Sequence, residues 1–164
     1  MGARLKPGEM RRGKRDRETG IAWVQVSREA AHGHPLGQLD WVMYLIIGFF
    51  LFAGLTRGWM VAGQGAGMAL VLGVVALPLV TALLLWMRAA LARVLVVGTG
   101  LFALFGILSR GFDGTADAGL AASLWVLGEL IAILAITVYL WEGDRPNMIY
   151  AHRFRSYRDA EGKA

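Results

Sequence analysis

Residues 66–87 read AGMALVLGVVALPLVTALLLWM and contain no charged side chain. A helix of about 20 apolar residues spans the hydrocarbon core of a lipid bilayer. Three other stretches of the chain have a similar length and character. The four predicted spans are about 39–55, 66–87, 91–109 and 120–141, and residues 56–65 are predicted to form a glycine-containing loop. Because lipid offers no hydrogen-bond partner to a free backbone group, each span is predicted to be a helix.

The composition of the whole chain supports this interpretation. Of 164 residues, 56% are hydrophobic and 18% are charged, whereas soluble domains carry about 25% charged residues. The region 39–141 contains only eight charged side chains. This distribution excludes an ordinary soluble enzyme and a disordered chain. The absence of cysteine excludes disulfides and thiolate metal sites.

The distribution of Lys and Arg predicts the orientation. With four spans, both chain ends lie on the same side. That side carries fifteen of the seventeen Lys and Arg residues, and the other side carries only Arg57 and Arg110. The basic side of a membrane protein stays in the cytoplasm. We therefore predict an all-α integral membrane protein with four transmembrane helices and cytoplasmic termini. Its composition is typical of the cytoplasmic (inner) membrane of a bacterium.

The segments before and after the four spans are too short to fold alone without disulfides, a bound metal or a partner chain. Residues 1–38 are predicted to be a basic, largely disordered tail with a short interfacial segment. Residues 21–31 fit a short strand or a partner-binding segment equally well. Residues 142–164 form a basic, aromatic tail at the other end of the chain. The turn between the second and third spans, residues 87–93, is predicted to be a tight hairpin, with a longer helix extension as the alternative.

Several side chains are predicted to contact the lipid interface. Tryptophans near span ends form the belt that is typical of membrane proteins. In the C-terminal tail, a helix would place Tyr150, Phe154 and Tyr157 on one face beside three arginines, which suits anionic lipid. The interface residues are Trp41, Trp86, Trp141, Arg153, Arg155 and Arg158. Nucleic-acid binding uses the same residue types, but lipid is the nearer anion, so no nucleic-acid partner is predicted.

Glu129 lies near the middle of the fourth span. A charged carboxylate at that depth is unfavourable unless it is protonated, paired or hydrated. Three roles remain open: a proton or cation relay, a hydrogen bond between helices, or a contact with another subunit. Thr99 and Thr81 are the hydroxyl partners considered for the hydrogen bond. No Lys, Arg or His is predicted within a span to complete a relay.

Small residues on the spans predict close helix packing. Gly63 and Gly67 have the spacing of a small-xxx-small motif, although residues 63–67 fit a loop equally well. The predicted packing glycines are Gly63, Gly67, Gly73, Gly98 and Gly106. The run Gly98-x-Gly100-x-x-Ala103 also matches a dinucleotide fingerprint, but the helix that would follow it is apolar on every side. No cofactor is therefore predicted.

Catalytic patterns are weak in this chain. Glu142, Asp144 and His152 are the only obvious acid–base candidates, and His32 with His34 lacks further metal ligands. We therefore predict no enzyme and no metal site. The expected role is a small polytopic membrane protein that acts as an accessory, assembly or stabilising subunit, with a membrane-protein partner or as a homo-oligomer. The alternative is a proton- or cation-coupled transporter or channel that works as a homo-oligomer through Glu129.

Overall fold

The computed structural model describes residues 6–15, 21–63, 65, 67–110 and 119–156. It is mostly helical (74%) and divides into two compact units. The helical unit consists of Trp41–Tyr139, and the terminal unit combines Met1–Asp40 with Leu140–Ala164.

The helical unit contains the long apolar helices. They are α2 (Trp41–Gly63), α3 (Met68–Trp86), α4 (Ala92–Arg110) and α5 (Gly119–Glu142), whose last residues belong to the terminal unit. In the described part of the chain, two helical stretches are long and apolar enough to cross a membrane, Pro35–Gly63 and Met68–Trp86. A shorter apolar helix covers Ala92–Phe105. Helices α3, α4 and α5 begin and end close to the limits of three predicted spans.

Helix α2 is longer than predicted. Residues 56–65 were expected to form a loop, but the helix continues to Gly63. The Thr56 hydroxyl donates to the carbonyl oxygens of Phe52 at 2.9 Å and Ala53 at 3.1 Å, which satisfies this polar group within the helix. Arg57 therefore lies inside a helix rather than in a loop.

The chain reverses direction between α3 and α4 in a tight turn. Arg88 adopts a left-handed backbone conformation with φ of 56°. Its N–H bonds to the carbonyl of Leu85 at 3.2 Å, and the N–H of Ala89 bonds to that of Leu84 at 3.0 Å. These two bonds close a Schellman motif, which ends a helix. The structure therefore has the predicted hairpin and not the helix extension.

Helices α2 and α3 pack against each other in antiparallel directions. Gly54 lies against Val75 and Pro78, and Gly58 lies against Val75. Nearer the other end of the pair, the rings of Tyr44 and Trp86 meet edge to face with centroids 5.8 Å apart. The close approach depends on the missing side chains of the two glycines.

The terminal unit contains a sheet, which corrects the predictions of an all-α fold and of a largely disordered N-terminal tail. Its strands are β1 (Met10–Arg15), β2 (Ala22–Val26) and β3 (Arg153–Ser156), antiparallel in the order β1-β2-β3. Its helices are α1 (Arg28–Gly33) and α6 (Asp144–Ala151), and Pro35–Gly37 forms a short 3-10 turn. Strand β2 alternates buried and more exposed residues, the period expected of a half-buried strand.

A small apolar core stabilises the terminal unit. Val26, Ala31 and Met148 are buried together, and Phe154 packs against them. These residues come from both ends of the chain, so neither segment would bury this surface alone. The Ser27 hydroxyl accepts a hydrogen bond from the N–H of Ala30 at 3.4 Å and caps α1. The tails were predicted separately, and their joint core explains why they fold.

Candidate functional site

Glu129 forms an ion pair with Arg57 between α5 and α2. Arg57 Nη2 lies 2.6 Å from Glu129 Oε1, and Arg57 Nε donates to Oε2 at 3.3 Å. Only 14% of the arginine side chain and 9% of the glutamate side chain are exposed. One carboxylate oxygen therefore accepts a hydrogen bond, and the other is in ion-pair contact with the same guanidinium. The expectation that no cation lies within a span to meet Glu129 was wrong, because α2 extends through Arg57.

Thr99 bonds to Thr81 rather than to Glu129. The two hydroxyl oxygens are 3.0 Å apart, and either can donate. The hydroxyls also lie 2.8 Å from the carbonyl oxygens of Leu77 and Leu95 in their own helices. Because both threonines are buried, this hydroxyl pair connects α3 to α4 without a charge. The predicted polar site of Glu129 and Thr99 is thus two separate contacts.

Four of the five predicted packing glycines do not make the close contacts expected of them. A methyl group added at Gly63, Gly67, Gly73 or Gly98 would meet no atom within 4 Å. Gly106 lies in α4, where the side-chain surroundings are outside the described part of the chain. Gly63 is the last residue of α2 and Gly67 precedes α3, so the two glycines do not share one helix.

Close packing occurs at other glycines. Gly54 and Gly58 form a small-xxx-small motif on α2 against α3, and Gly100 of α4 faces Ile133 of α5. The sequence signal for Gly54 and Gly58 was present. It was missed because Gly58 was assigned to the predicted loop.

The tryptophans predicted to lie at the lipid interface are all exposed. The exposed fractions are 71% for Trp41, 57% for Trp86 and 45% for Trp141. Large indole rings with this exposure suit a boundary between water and lipid. The lipid contact of these three residues stays a prediction.

Two of the three predicted interface arginines, Arg153 and Arg155, lie on a strand and not on a helix. Tyr150 is buried in α6, so the predicted aromatic helix face does not form. Arg153 and Arg155 belong to β3, and their guanidinium carbons lie 4.3 Å and 4.9 Å from the centroid of the Trp23 ring. Arg158 lies outside the described residues. Cation–π stacking therefore places two guanidinium groups at one indole.

Asn147 connects Arg153 to the end of α5, a role that the sequence did not predict. Its side-chain nitrogen donates to the carbonyl oxygens of Trp141 at 2.8 Å and Gly143 at 2.9 Å. Its side-chain oxygen accepts from Arg153 Nε at 3.0 Å. The residue is fully buried, and it supplies a donor to the Trp141 carbonyl in the last turn of α5. The Gly143 carbonyl also accepts from the backbone N–H of Asn147 at 3.1 Å. A lone asparagine in a basic tail carries no sequence signal for this role.

The residues considered for an enzyme have separate roles. Glu142 and Asp144 lie 2.9 Å and 3.7 Å from Arg155 in ion pairs. His152 meets His32 edge to face, with ring centroids 5.3 Å apart. Chiefly burial, and then the neighbouring His32 and Arg28, lower the pKa of His152 below its usual 6.5. These contacts do not join the two carboxylates and the imidazole in one acid–base constellation.

The described residues contain no group of three or more His, Asp or Glu side chains placed to hold a metal ion. In the helical unit, Arg57 and Glu129 form an ion pair. In the terminal unit, the arginines beside Trp23 are groups that can bind an anion. Comparison with protein-family models, curated proteins and solved structures finds no match to this chain.

Proposed function

We propose that this protein is a polytopic protein of the cytoplasmic membrane of a bacterium, with four crossing helices and both termini in the cytoplasm. In this proposal it acts as a non-enzymatic accessory, assembly or stabilising subunit of a membrane complex. Its partners are the lipid bilayer and either another membrane protein or further copies of the same chain.

The exposed surface of the helical unit supports placement in a membrane. Large apolar side chains point outward on all four long helices. Examples are Leu45, Phe52 and Leu55 on α2, Leu70, Leu72 and Leu83 on α3, Leu101 and Phe105 on α4, and Leu127, Ile131, Leu134 and Val138 on α5. Water disfavours apolar surface by about 25 cal/mol per Å², whereas lipid or a partner helix accepts it.

The Arg57–Glu129 ion pair is the observation that carries the accessory role. A relay or transporter needs a carboxylate that exchanges a proton or a cation during each cycle. Here the carboxylate is engaged by a guanidinium at both oxygens. The pair therefore suits a structural contact between α2 and α5. Because the charges of Arg57 and Glu129 neutralise each other, the pair places no net charge between the two helices.

Native mass spectrometry of the tagged protein tests the proposal. Membranes are solubilised in digitonin and, separately, in a harsher maltoside detergent, with an untagged strain as the control. In digitonin, we expect the mass spectrum to show a complex of fixed stoichiometry with a mass larger than that of one chain. Elution only as a single chain in several mild detergents would contradict the accessory role.

The transporter alternative makes a separate prediction. If Glu129 carries protons or cations, Glu129→Gln abolishes flux in proteoliposomes while folding survives. Because Glu129 is paired, we expect no proton flux above that of empty vesicles in either protein. A flux that requires Glu129 would favour the alternative.

A further inference from the structure

We propose that the exposed face of the sheet in the terminal unit binds the phosphate groups of anionic phospholipids. The surface consists of Arg11, Gln25 and Arg153, which we name the arginine row, together with the adjacent Trp23. This inference rests on the membrane placement in the proposed function and specifies the anionic lipid headgroup and the residues that bind it.

The strand register puts the three residues of the arginine row side by side. Arg11 of β1 is opposite Gln25 of β2, and Gln25 is opposite Arg153 of β3. Directly opposed residues in a sheet project from the same face. With strands about 4.8 Å apart, the two arginine backbones are separated by roughly 10 Å. Trp23 shares this face because it lies two residues from Gln25 on β2.

The other face of the sheet is turned toward the core. Ala22, Val24 and Val26 are buried, whereas Gln25 is exposed. Phe154, between the two arginines of β3, packs against the apolar core of the unit. The arginine row therefore belongs to the outer face.

Arg153 is held in a fixed orientation. Its Nε donates to Asn147 Oδ1 at 3.0 Å, and its guanidinium lies 4.3 Å from the Trp23 ring centroid. Asn147 is itself anchored by two backbone carbonyls. Neither Nη atom takes part in an ion pair with an acid among the described residues. Such a guanidinium presents two parallel N–H donors, the geometry that matches a phosphate.

Arg155 provides an internal contrast. It stacks on the same indole, but it pairs with Glu142 at 2.9 Å and with Asp144 at 3.7 Å. Its charge is therefore balanced locally. Arg11 is exposed, and among the described residues its side chain pairs with no acid. The unbalanced positive charge of this face thus lies on the arginine row.

A lipid surface is the anion that fits this arrangement best. Strand β3 follows α5 in the chain with only α6 between them, so in the proposed placement the strand follows closely on the point where the chain leaves the membrane. The cytoplasmic leaflet is negatively charged and attracts basic segments next to a membrane helix. Tryptophan favours the headgroup level, because its ring is apolar and its N–H is polar.

Hydrogen–deuterium exchange of the full chain in nanodiscs tests the proposal. The discs contain either phosphatidylcholine alone or equal parts of phosphatidylcholine and phosphatidylglycerol. We expect peptides covering β1 and β3 to exchange more slowly in the anionic discs, and high salt to reduce the difference. Arg11→Gln with Arg153→Gln should lose most of this protection, and Arg155→Gln should retain it. Arg11→Gln alone should lose part of it, and this variant leaves the Asn147 bond intact.

The possible outcomes separate the sources of phosphate. Equal exchange in both discs overturns the proposal. So does protection in phosphatidylcholine discs by inorganic phosphate or by an RNA oligonucleotide, if phosphatidylglycerol has no effect. If the chain incorporates into discs but shows no lipid-dependent protection, the binding of anionic lipid by the arginine row is refuted and the proposed function is not. A chain that does not incorporate refutes both.

Discussion

Among individual residues, Arg57 and Glu129 have the largest expected effect on stability. Burial removes hydration from both charges, and among the described residues each is paired with the other. Removal of one partner leaves an unpaired charge in an apolar environment. Replacement of both by apolar residues of similar volume removes the desolvation cost as well as the attraction, so it is expected to be far less harmful.

We predict that Glu129→Ala or Arg57→Ala lowers the free energy of unfolding by about 3–5 kcal/mol. The double variant Arg57→Met, Glu129→Leu should recover most of this loss. Denaturant titration in detergent micelles, followed by circular dichroism, measures the differences. Losses below about 1 kcal/mol in both single variants, the range of an exposed pair, would show that the pair is not a buried structural contact.

His152 makes the stability of the terminal unit depend on pH. Its pKa is lowered in the folded state, chiefly by burial, so the folded state binds fewer protons than the unfolded state. The stabilising contribution is complete above the unfolded pKa of 6.5 and is lost as the pH falls through the lower folded value. We expect exchange of α6 and β3 amides, corrected for intrinsic rates, to accelerate below pH 6.5.

His152→Asn is the matched control for this effect. His152 has a left-handed backbone with φ of 50°, and asparagine tolerates that conformation. The variant removes the titrating ring and should flatten the pH dependence. An unchanged pH profile in this variant would assign the dependence to another group.

The importance of Glu129 could be predicted from sequence, since a carboxylate amid apolar residues demands a partner. The identity of the partner could not, because Thr56 and Gly58 around Arg57 are typical of a loop. Only tertiary packing of Gly58 on Val75 shows why the helix continues. Asn147 was not predictable either, because its partners are backbone carbonyls, which every residue possesses.

At the scale of elements, α2 and α3 are held together by two glycines. Gly54 would place an added methyl carbon 3.1 Å from Pro78 Cβ, and at Gly58 the methyl would collide with Val75. Proline rings and β-branched side chains cannot rotate away easily. The helices must therefore separate to accommodate either methyl group.

We predict that Gly54→Ala and Gly58→Ala each destabilise the helical unit by about 1–3 kcal/mol. Gly73→Ala is the control, because its added methyl would meet no atom within 4 Å. That variant should be neutral or gain up to about 1 kcal/mol from helix propensity. Thermal unfolding in one detergent compares the three variants. A Gly73→Ala loss equal to the others would contradict the observed packing.

The long helices were predictable because their apolar character extends over about 20 residues. The terminal unit was not, since its strands are short, β1 and β3 are basic, and β3 lies far from the other two in the chain. Residues 22–26 alternate well enough that a strand was one of two alternatives for this region. Their partners, residues 10–15 and 153–156, have mostly charged or polar residues and carry little strand signal.

For the whole molecule, we predict that both chain ends lie in the cytoplasm. Green fluorescent protein and alkaline phosphatase fused to the C-terminus report opposite compartments, and the N-terminus is tested by fusion in the same way. At both ends, the fluorescent-protein fusion should be fluorescent and the phosphatase fusion inactive. A phosphatase inserted at Gly65 should be active. Chain ends on opposite sides would contradict four crossings.

The composition of the terminal unit from both chain ends has a consequence for biosynthesis. Strand β2 is made early and can pair with β1 at once, but its other neighbour, β3, is translated only after all four long helices. At ribosomal rates of 5–20 residues per second, roughly 6–25 s separate the two strands. During that interval one edge of β2 is open to pairing with another nascent chain. A product truncated after α5 would retain this open edge permanently.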